Sequence, residues 1–363
     1  MNDVEIAASK KLFIKADHPL LKYCGRIGMD DKGWPEFVYP CSFVTLDFVG
    51  KTIFVLLENH SVYWNHYVGW ILDGEQMKAG LPKAGKTSLC LGKELEEGRH
   101  NLMLFKRQDS CHTFSLEGFL LPEDGFLLEP EPLSKRRIEV YGDSVGAGEV
   151  SEAIDYVGKE DPFHQGEYSN SWYSYPWITA RKLDALLHNI SQGGIALMNG
   201  MGWFEPPELI GMEWVYDKVQ YHPVIGRTSQ WNFKDYRPHV VIVALGQNDS
   251  HPEDFMKENY NGQKALEWMD HYEGFIRKLR QIYPQAVIVL TTTILCHHDS
   301  WDKAIEKVWE RFQDEDVHHF CYRRNGSGTP GHIRISEAEE MAKELSDFIL
   351  SLGEEIWLDE SFS

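Results

Sequence analysis

IEVYGDSVGAG, residues 138–148, is the stretch whose reading decides the fold. Ile138-Glu139-Val140-Tyr141 has the composition of a strand, and Gly142-Asp143-Ser144 ends it in a turn. The glycines at 142, 146 and 148 let the chain reverse sharply and let a ligand come close to the backbone. Downstream, strands and helices alternate. A helix is expected over 172–183, a strand at LLHNIS (186–191), and a strand at VVIVALG (240–246). A helix over 265–283, a strand at AVIVLTTT (286–293) and a helix over 303–312 follow. VVIVALG is an unbroken apolar run, as a strand buried on both faces requires. The terminal helix is the best defined: Ser336 and Glu339 make a capping-box pair, with Ile335 placed as a hydrophobic staple. Ala338, Met341, Ala342, Leu345, Phe348, Ile349 and Leu352 form one apolar stripe, and Gly353 stops it. This alternation implies a parallel sheet flanked by helices, with any chemistry at the C-terminal ends of its strands.

Upstream of Pro132 the period changes. From about residue 10 to 128 the apolar runs are short: LFIK, EFVY, CSFVTLDFV, KTIFVLLEN, YVGWILDG, KTSLCLG, NLMLFKR and HTFSLEGFLL. Turn residues bound each of them, and many short strands at near-regular spacing read as an all-β sandwich or jelly roll. The Pro-containing segment LLEPEPLSK marks the boundary, giving an all-β domain over 1–130 and an α/β domain over 131–363.

Composition narrows the function classes. The 363 residues are 42% hydrophobic and 25% charged, as in soluble globular proteins. A net charge of −20 repels nucleic-acid backbones and anionic membranes, so neither is an expected partner, and a neutral substrate is favoured. The first 25 residues hold no apolar core of a secretory leader, and no apolar run is long enough to span a bilayer. Six dispersed cysteines without a CxxC pair then read as reduced thiols, and the expected compartment is the cytoplasm. Acidic intracellular enzymes often assemble as homo-oligomers, which sets that expectation here.

Ser144 at a strand end is a candidate nucleophile, although a G-D-S tripeptide is by itself equally a turn or helix cap. Three further blocks accompany it. Ser191-Gln192-Gly193-Gly194-Ile195 follows the second strand, and Gly246-Gln247-Asn248-Asp249 follows the third. Gly331-His332 precedes the terminal helix, where an imidazole enters from above the sheet. A hydroxyl needs such a base to take its proton. The order and context of these blocks resemble the SGNH (GDSL-type) hydrolases. That resemblance implies Ser144 as nucleophile and His332 as base, with an oxyanion hole of the Ser144 and Gly194 N–H groups and the Asn248 side chain. Members of that class commonly carry an Asp three residues before the His, whereas Thr329 stands there in this chain. No acid occurs between Asn325 and Ser336. We therefore expect a Ser–His dyad oriented by a backbone carbonyl, the alternative being an acid from a distant loop.

The β-rich domain ahead of the hydrolase domain is similar to carbohydrate esterase family 2, the two-domain acetylxylan esterases. The stretches EGRHNLMLFKR (97–107), FLL (119–121), RRIEVYGDS (136–144) and SNSWYSY (169–175) carry the likeness. It implies hydrolysis of O-acetyl esters on xylo-oligosaccharides or related sugars through an acetyl-serine, without a cofactor. Trp301, Trp172 and Trp203 are candidates to stack on sugar, each equally readable as a core aromatic, and His251 is placed to contact substrate.

Two motifs point elsewhere. Gly80-Leu81-Pro82-Lys83-Ala84-Gly85-Lys86-Thr87 matches the P-loop pattern, but a strand-like SLCLG follows where a helix is required. Cys296-His297-His298-Asp299 offers ligand types without a second cluster, so no metal is expected. The rival functions are a non-catalytic carbohydrate-binding protein on an esterase scaffold, an esterase for lipid or other acyl substrates, and a transacetylase.

Overall fold

The computed structural model describes residues 11–60, 64–205, 208–221 and 228–358. The first ten residues, part of the stretch read above for a leader, lie outside the described residues. Residues 11–128 fold into two 6-stranded antiparallel sheets packed as a sandwich. One sheet runs Ile27–Met29, Pro35–Phe37, Thr113–Pro122, Thr52–His60, Ala84–Lys93, with Lys11–Lys15 also on Thr113–Pro122. The other runs Phe126–Leu128, Phe43–Val49, Arg99–Lys106, Tyr67–Leu72, Glu75–Gly80, with Lys22–Cys24 also on Phe43–Val49. Thr52–His60 shows the cause most clearly: its buried positions alternate, so Ile53, Val55 and Leu57 face the sandwich core. The P-loop lookalike connects Glu75–Gly80 to Ala84–Lys93, two edge strands of different sheets, and no helix follows it.

The second domain is a parallel sheet in the order Ala185–Ser191, Arg136–Gly142, Val240–Ala244, Val287–Thr291, Val317–His319. Val240–Ala244 and Val287–Thr291 are buried throughout, as their apolar runs require. The chain's first and third strands of this sheet are neighbours, and the order reverses between them. Crevices for ligands open at that point, beyond the carboxyl ends of the strands. Helices Tyr175–Lys182, Gln263–Ile282, Ser300–Trp309 and Ile335–Ser351 cover the faces. Among the described residues no helix is long and apolar enough to cross a membrane.

Some expected boundaries differ. The helix expected over 172–183 is a short turn, Ser171–Tyr173, and then Tyr175–Lys182. Ser174 breaks it by accepting the Trp177 N–H as an N-cap, and Pro176 begins the new first turn. The terminal helix is capped from Arg334, whose N–H donates to Glu337, so the Ser336–Glu339 box does not form. Arg334 is held extended because its guanidinium is anchored on Asp161 and the His332 carbonyl.

The two domains share a core. Trp177 stacks on Phe43 at 6.1 Å and meets Phe105 edge-on at 5.4 Å, both from the sandwich. Arg26, also from the sandwich, lies fully buried 3.2 Å from Glu139 in the strand that leads into Ser144. The Tyr141 and Tyr283 hydroxyls donate to the same carboxylate. Removing one partner of such a pair typically costs about 3–5 kcal/mol, so the first domain is firmly tied to this strand.

Candidate active site

Ser144 begins a one-turn helix, Ser144–Ala147, directly after the strand Arg136–Gly142. Asp143 fixes this turn: Oδ1 accepts the Val145 N–H at 2.9 Å. Its Oδ2 accepts the Gln247 amide at 2.6 Å and the Asn248 amide at 3.2 Å, tying the first and third strand ends together. Asn248 also donates to the Ile195 carbonyl at 3.1 Å, so its carboxamide has one fixed orientation.

His332 arrives from the loop before the terminal helix, and its Nε2 lies 2.8 Å from Ser144 Oγ. The dyad expectation is corrected at Nδ1. Asp161 Oδ2 stands 2.5 Å away, and Asp161 Oδ1 accepts the His332 N–H at 2.9 Å and the buried Arg334 guanidinium at 2.8 Å. Thr329, at the acid's expected position, is buried and donates its N–H to the Ile294 carbonyl. The acid comes instead from a loop 171 positions upstream. No local spacing announces such a contact. A trace in the sequence is Gly331, where a Cβ would lie 2.5 Å from the Lys159 carbonyl and 2.7 Å from Asp161 Oδ1. Only glycine lets the Asp161 loop pass this close.

Electrostatically the site is acidic. Burial alone would lower the His332 pKa, but the carboxylates of Glu149, Asp161 and Asp143 outweigh it and raise it to about 9. Burial acts in the opposite sense on Asp161, yet the bonds and charge of His332, with Arg334, hold it well below the usual carboxylate range. Glu149 is raised to about 7, chiefly by burial, with His332 opposing and the other acids adding.

In the segment Gln192–Ile195, three of the four N–H groups are taken. Gln192 donates to the Gly142 carbonyl, Gly193 to Asp109 and Ile195 to the Gln192 carbonyl. Among the described residues the N–H groups of Gly194 and Ser144 donate to no protein acceptor. Both remain available beside the nucleophile.

The four aromatic candidates separate. Trp301 is fully buried against Trp268 and Phe255, with its Nε1 on Asp254, so the sugar-stacking expectation fails there. Trp172 packs on Trp177 and Phe105 beneath the Arg181 guanidinium, at the domain junction, and is likewise a packing residue. Trp203 is 64% exposed, its ring stacked on His251 at 3.3 Å. A Cβ on Gly194 would touch the Trp203 side chain at 2.9 Å, which puts this platform next to the free N–H. In the Cys296–Asp299 segment, His297 bonds the Leu295 carbonyl and Asp302, and His298 bonds Ser300. These contacts organise the start of helix Ser300–Trp309.

Residues 23–131 match the family model for the carbohydrate esterase 2 N-terminal domain. An acetylxylan esterase / glucomannan deacetylase of Cellvibrio japonicus is 26% identical over 350 residues, covering 95% of this chain and 92% of that protein. A family two carbohydrate esterase from Clostridium thermocellum, solved in complex with cellohexaose, superposes with a TM-score of 0.75 at 27% identity, over 93% of this chain and 100% of that one. The first domain is thus that of the carbohydrate esterase 2 family model, and the chain as a whole is similar to family 2 carbohydrate esterases. The cellulase/esterase CelE of Acetivibrio thermocellus is 30% identical over 274 residues, 75% of this chain. The chain spans 31% of that relative's length. The family's two-part architecture matches the sandwich and parallel-sheet domains described above.

Proposed function

We propose that the chain is a serine esterase that removes O-acetyl groups from xylo-oligosaccharides or related sugars through an acetyl-Ser144 intermediate. The observation that carries this reading is the Ser144–His332–Asp161 line, with contacts of 2.8 and 2.5 Å, beside the Ser144 and Gly194 N–H groups, which meet no acceptor among the described residues. Ser144 Oγ attacks the acetyl carbonyl carbon as its proton passes to His332 Nε2. The carbonyl oxygen takes the negative charge, facing the Ser144 and Gly194 N–H groups. Preorganised donors of this kind contribute about 2.7–4 kcal/mol each. Asn248 joins them, because its bonds of 3.1 and 3.2 Å are long enough for an oxyanion to compete. Collapse breaks the ester C–O bond, and the sugar oxygen takes the proton from His332. Water then repeats the sequence on acetyl-Ser144 and releases acetate. A raised His332 pKa makes each neutral imidazole a stronger base, which places the activity at mildly alkaline pH.

The surroundings favour a small acyl group on a neutral sugar. Asp109, Asp143, Glu149 and Asp161 surround the catalytic pair and would repel an anionic substrate. The hollow beside the nucleophile turn, lined by Trp64, Gln108, Asp109, Ala147, Glu149 and Ser169, has a volume of about 10 Å³, too small for a long acyl chain. Exposed Trp203 offers an aromatic face to a sugar ring. The ground for a non-catalytic binding protein was the missing acid at Thr329, and Asp161 weakens it. We place the enzyme in the cytoplasm, in keeping with the free thiols of Cys24, Cys41 and Cys111.

The test is initial-rate hydrolysis of 4-nitrophenyl acetate, butyrate and octanoate by wild type and Ser144→Ala, with acetylated xylo-oligosaccharide in parallel. Acetate preference and release of acetate from the sugar, both abolished by the substitution, are expected. Activity that Ser144→Ala leaves unchanged would overturn the assignment, and preference for octanoate would move the substrate to lipids.

A further inference from the structure

The first domain reaches the reaction centre through one loop. Residues 107–112 join the sandwich strands Arg99–Lys106 and Thr113–Pro122, and the loop grips the turn Gln192-Gly193-Gly194 of the second domain. Asp109 Oδ2 accepts the Gly193 N–H at 3.1 Å and the Gln192 side-chain amide at 2.7 Å. Ser110 Oγ donates to Gln192 Oε1 at 2.5 Å, and the same Gln192 amide lies 3.0 Å from Cys111 Sγ. From below, the buried Lys106 ammonium donates to the Gln108 and Asp109 carbonyls at 2.6 and 2.5 Å. Burial lowers the Lys106 pKa to about 7, so the loop is held at an energetic cost.

Held this way, the turn has no freedom. Its Gly194 carbonyl is taken by the Trp203 and Phe204 N–H groups, and the Gly193 N–H by Asp109. A Cβ at 193 would lie 2.7 Å from Asp109 Oδ2 and 2.9 Å from Glu149 Oε2, so the backbone fits only as glycine. The Gly194 N–H is what the clamp leaves free.

We propose that Asp109 is a positioning residue of the esterase: the sandwich domain uses it to aim the Gly194 N–H at the developing oxyanion. This rests on the assignment of Ser144 and Gly194 above. Misaiming one donor costs transition-state stabilisation and leaves substrate binding nearly unchanged. A carboxylate near an oxyanion also opposes it by charge. Asparagine keeps an acceptor for Gly193 and removes that charge, so Asp109→Asn should retain function where Asp109→Ala does not.

The experiment measures kcat and KM for 4-nitrophenyl acetate in full-length wild type, Asp109→Ala and Asp109→Asn. Rates are normalised to serines titrated with a covalent phosphonate, and the Ki of a small boronic acid, which forms a tetrahedral adduct on serine, is measured alongside. For Asp109→Ala we expect kcat down 10- to 100-fold, KM within threefold, and the boronate Ki raised in parallel. Asp109→Asn should hold kcat within threefold. If Asp109→Ala does not fold, Gln192→Ala takes its place with the same pattern expected. Unchanged kcat per active serine and unchanged boronate affinity would overturn the proposal and leave Asp109 as a stability residue. Failure of the underlying assignment is separately visible, as activity that survives Ser144→Ala.

Discussion

Asp161→Asn isolates the contact that the sequence did not announce. Asp161 Oδ1 binds the His332 N–H and Arg334, while Oδ2 faces His332 Nδ1 at 2.5 Å. Asparagine keeps an oxygen for the first two bonds, so the buried Arg334 stays partnered. Its amide nitrogen then faces Nδ1 and donates to it, which places the ring proton on Nε2, where the Ser144 proton must arrive. The charge that stabilises the imidazolium is lost as well. Opposite charges about 4 Å apart at an effective dielectric of about 20 interact by about 4 kcal/mol, and a charge-assisted hydrogen bond is worth about 1.5–3 kcal/mol. A loss of about 3–4 kcal/mol is therefore expected, which is about 10²- to 10³-fold in kcat. KM should stay within threefold, because Asp161 faces the histidine. The ionised bonds of Asp161 contribute stability that is present above the ordinary aspartate value and is lost as pH falls. The comparison therefore belongs at pH 7–8, with melting temperature as the folding check. A variant within fivefold of wild-type kcat would show that something other than this carboxylate orients the ring, and would restore the dyad.

Other perturbations read neighbouring parts of the same site. Glu149→Gln removes the largest of the charges that raise His332; the ascending limb of kcat/KM, set by the neutral imidazole, should move about one unit to lower pH, and an unmoved limb would mean that Glu149 does not sense the ring. Gly331→Ala should push the Asp161 loop away from His332 and lower kcat at least tenfold, yet add nothing in an Asp161→Ala background, a non-additivity that a double-mutant cycle measures. Trp203→Ala should raise KM for the acetylated oligosaccharide about tenfold, on the order of 1.4 kcal/mol, with kcat little changed; unchanged KM in progress-curve assays would remove Trp203 from the sugar site. Trp301→Ala, by contrast, should cost about 3–5 kcal/mol of stability by opening a core cavity, seen as a lower denaturation midpoint.

What was legible in the sequence, and what was not, follows from the range of the forces involved. Strand and helix periods are local, so the alternating runs of the sandwich and the apolar runs at 240–246 and 286–293 could be read directly. Ser144, Asn248 and His332 were legible because each stands at the end of such an element, where the parallel sheet gathers loops at one edge. Trp301 and Trp203 were indistinguishable, because burial depends on the faces of other elements: Asp254 and Trp268 enclose the first, while the second lies exposed against His251. The terminal cap was misplaced because Arg334 is drawn to Asp161, which is remote in sequence.

Asp161 illustrates the general reason. A histidine needs a carboxylate oxygen at Nδ1, and the chemistry is indifferent to which loop supplies it. When the acid lies three residues from the histidine, both ride on one loop and the spacing is visible. Moving it to the 159–161 loop requires a gap in the histidine's own loop, which Gly331 provides, and a counter-charge to hold the visiting carboxylate, which Arg334 provides. Both supports sit in sequence next to His332, and the acid does not. The same reasoning applies to Asp109, whose partner is a backbone N–H that no motif encodes. In this protein the residues that do the bonding chemistry are local in sequence, and the residues that hold them in place are brought by the fold.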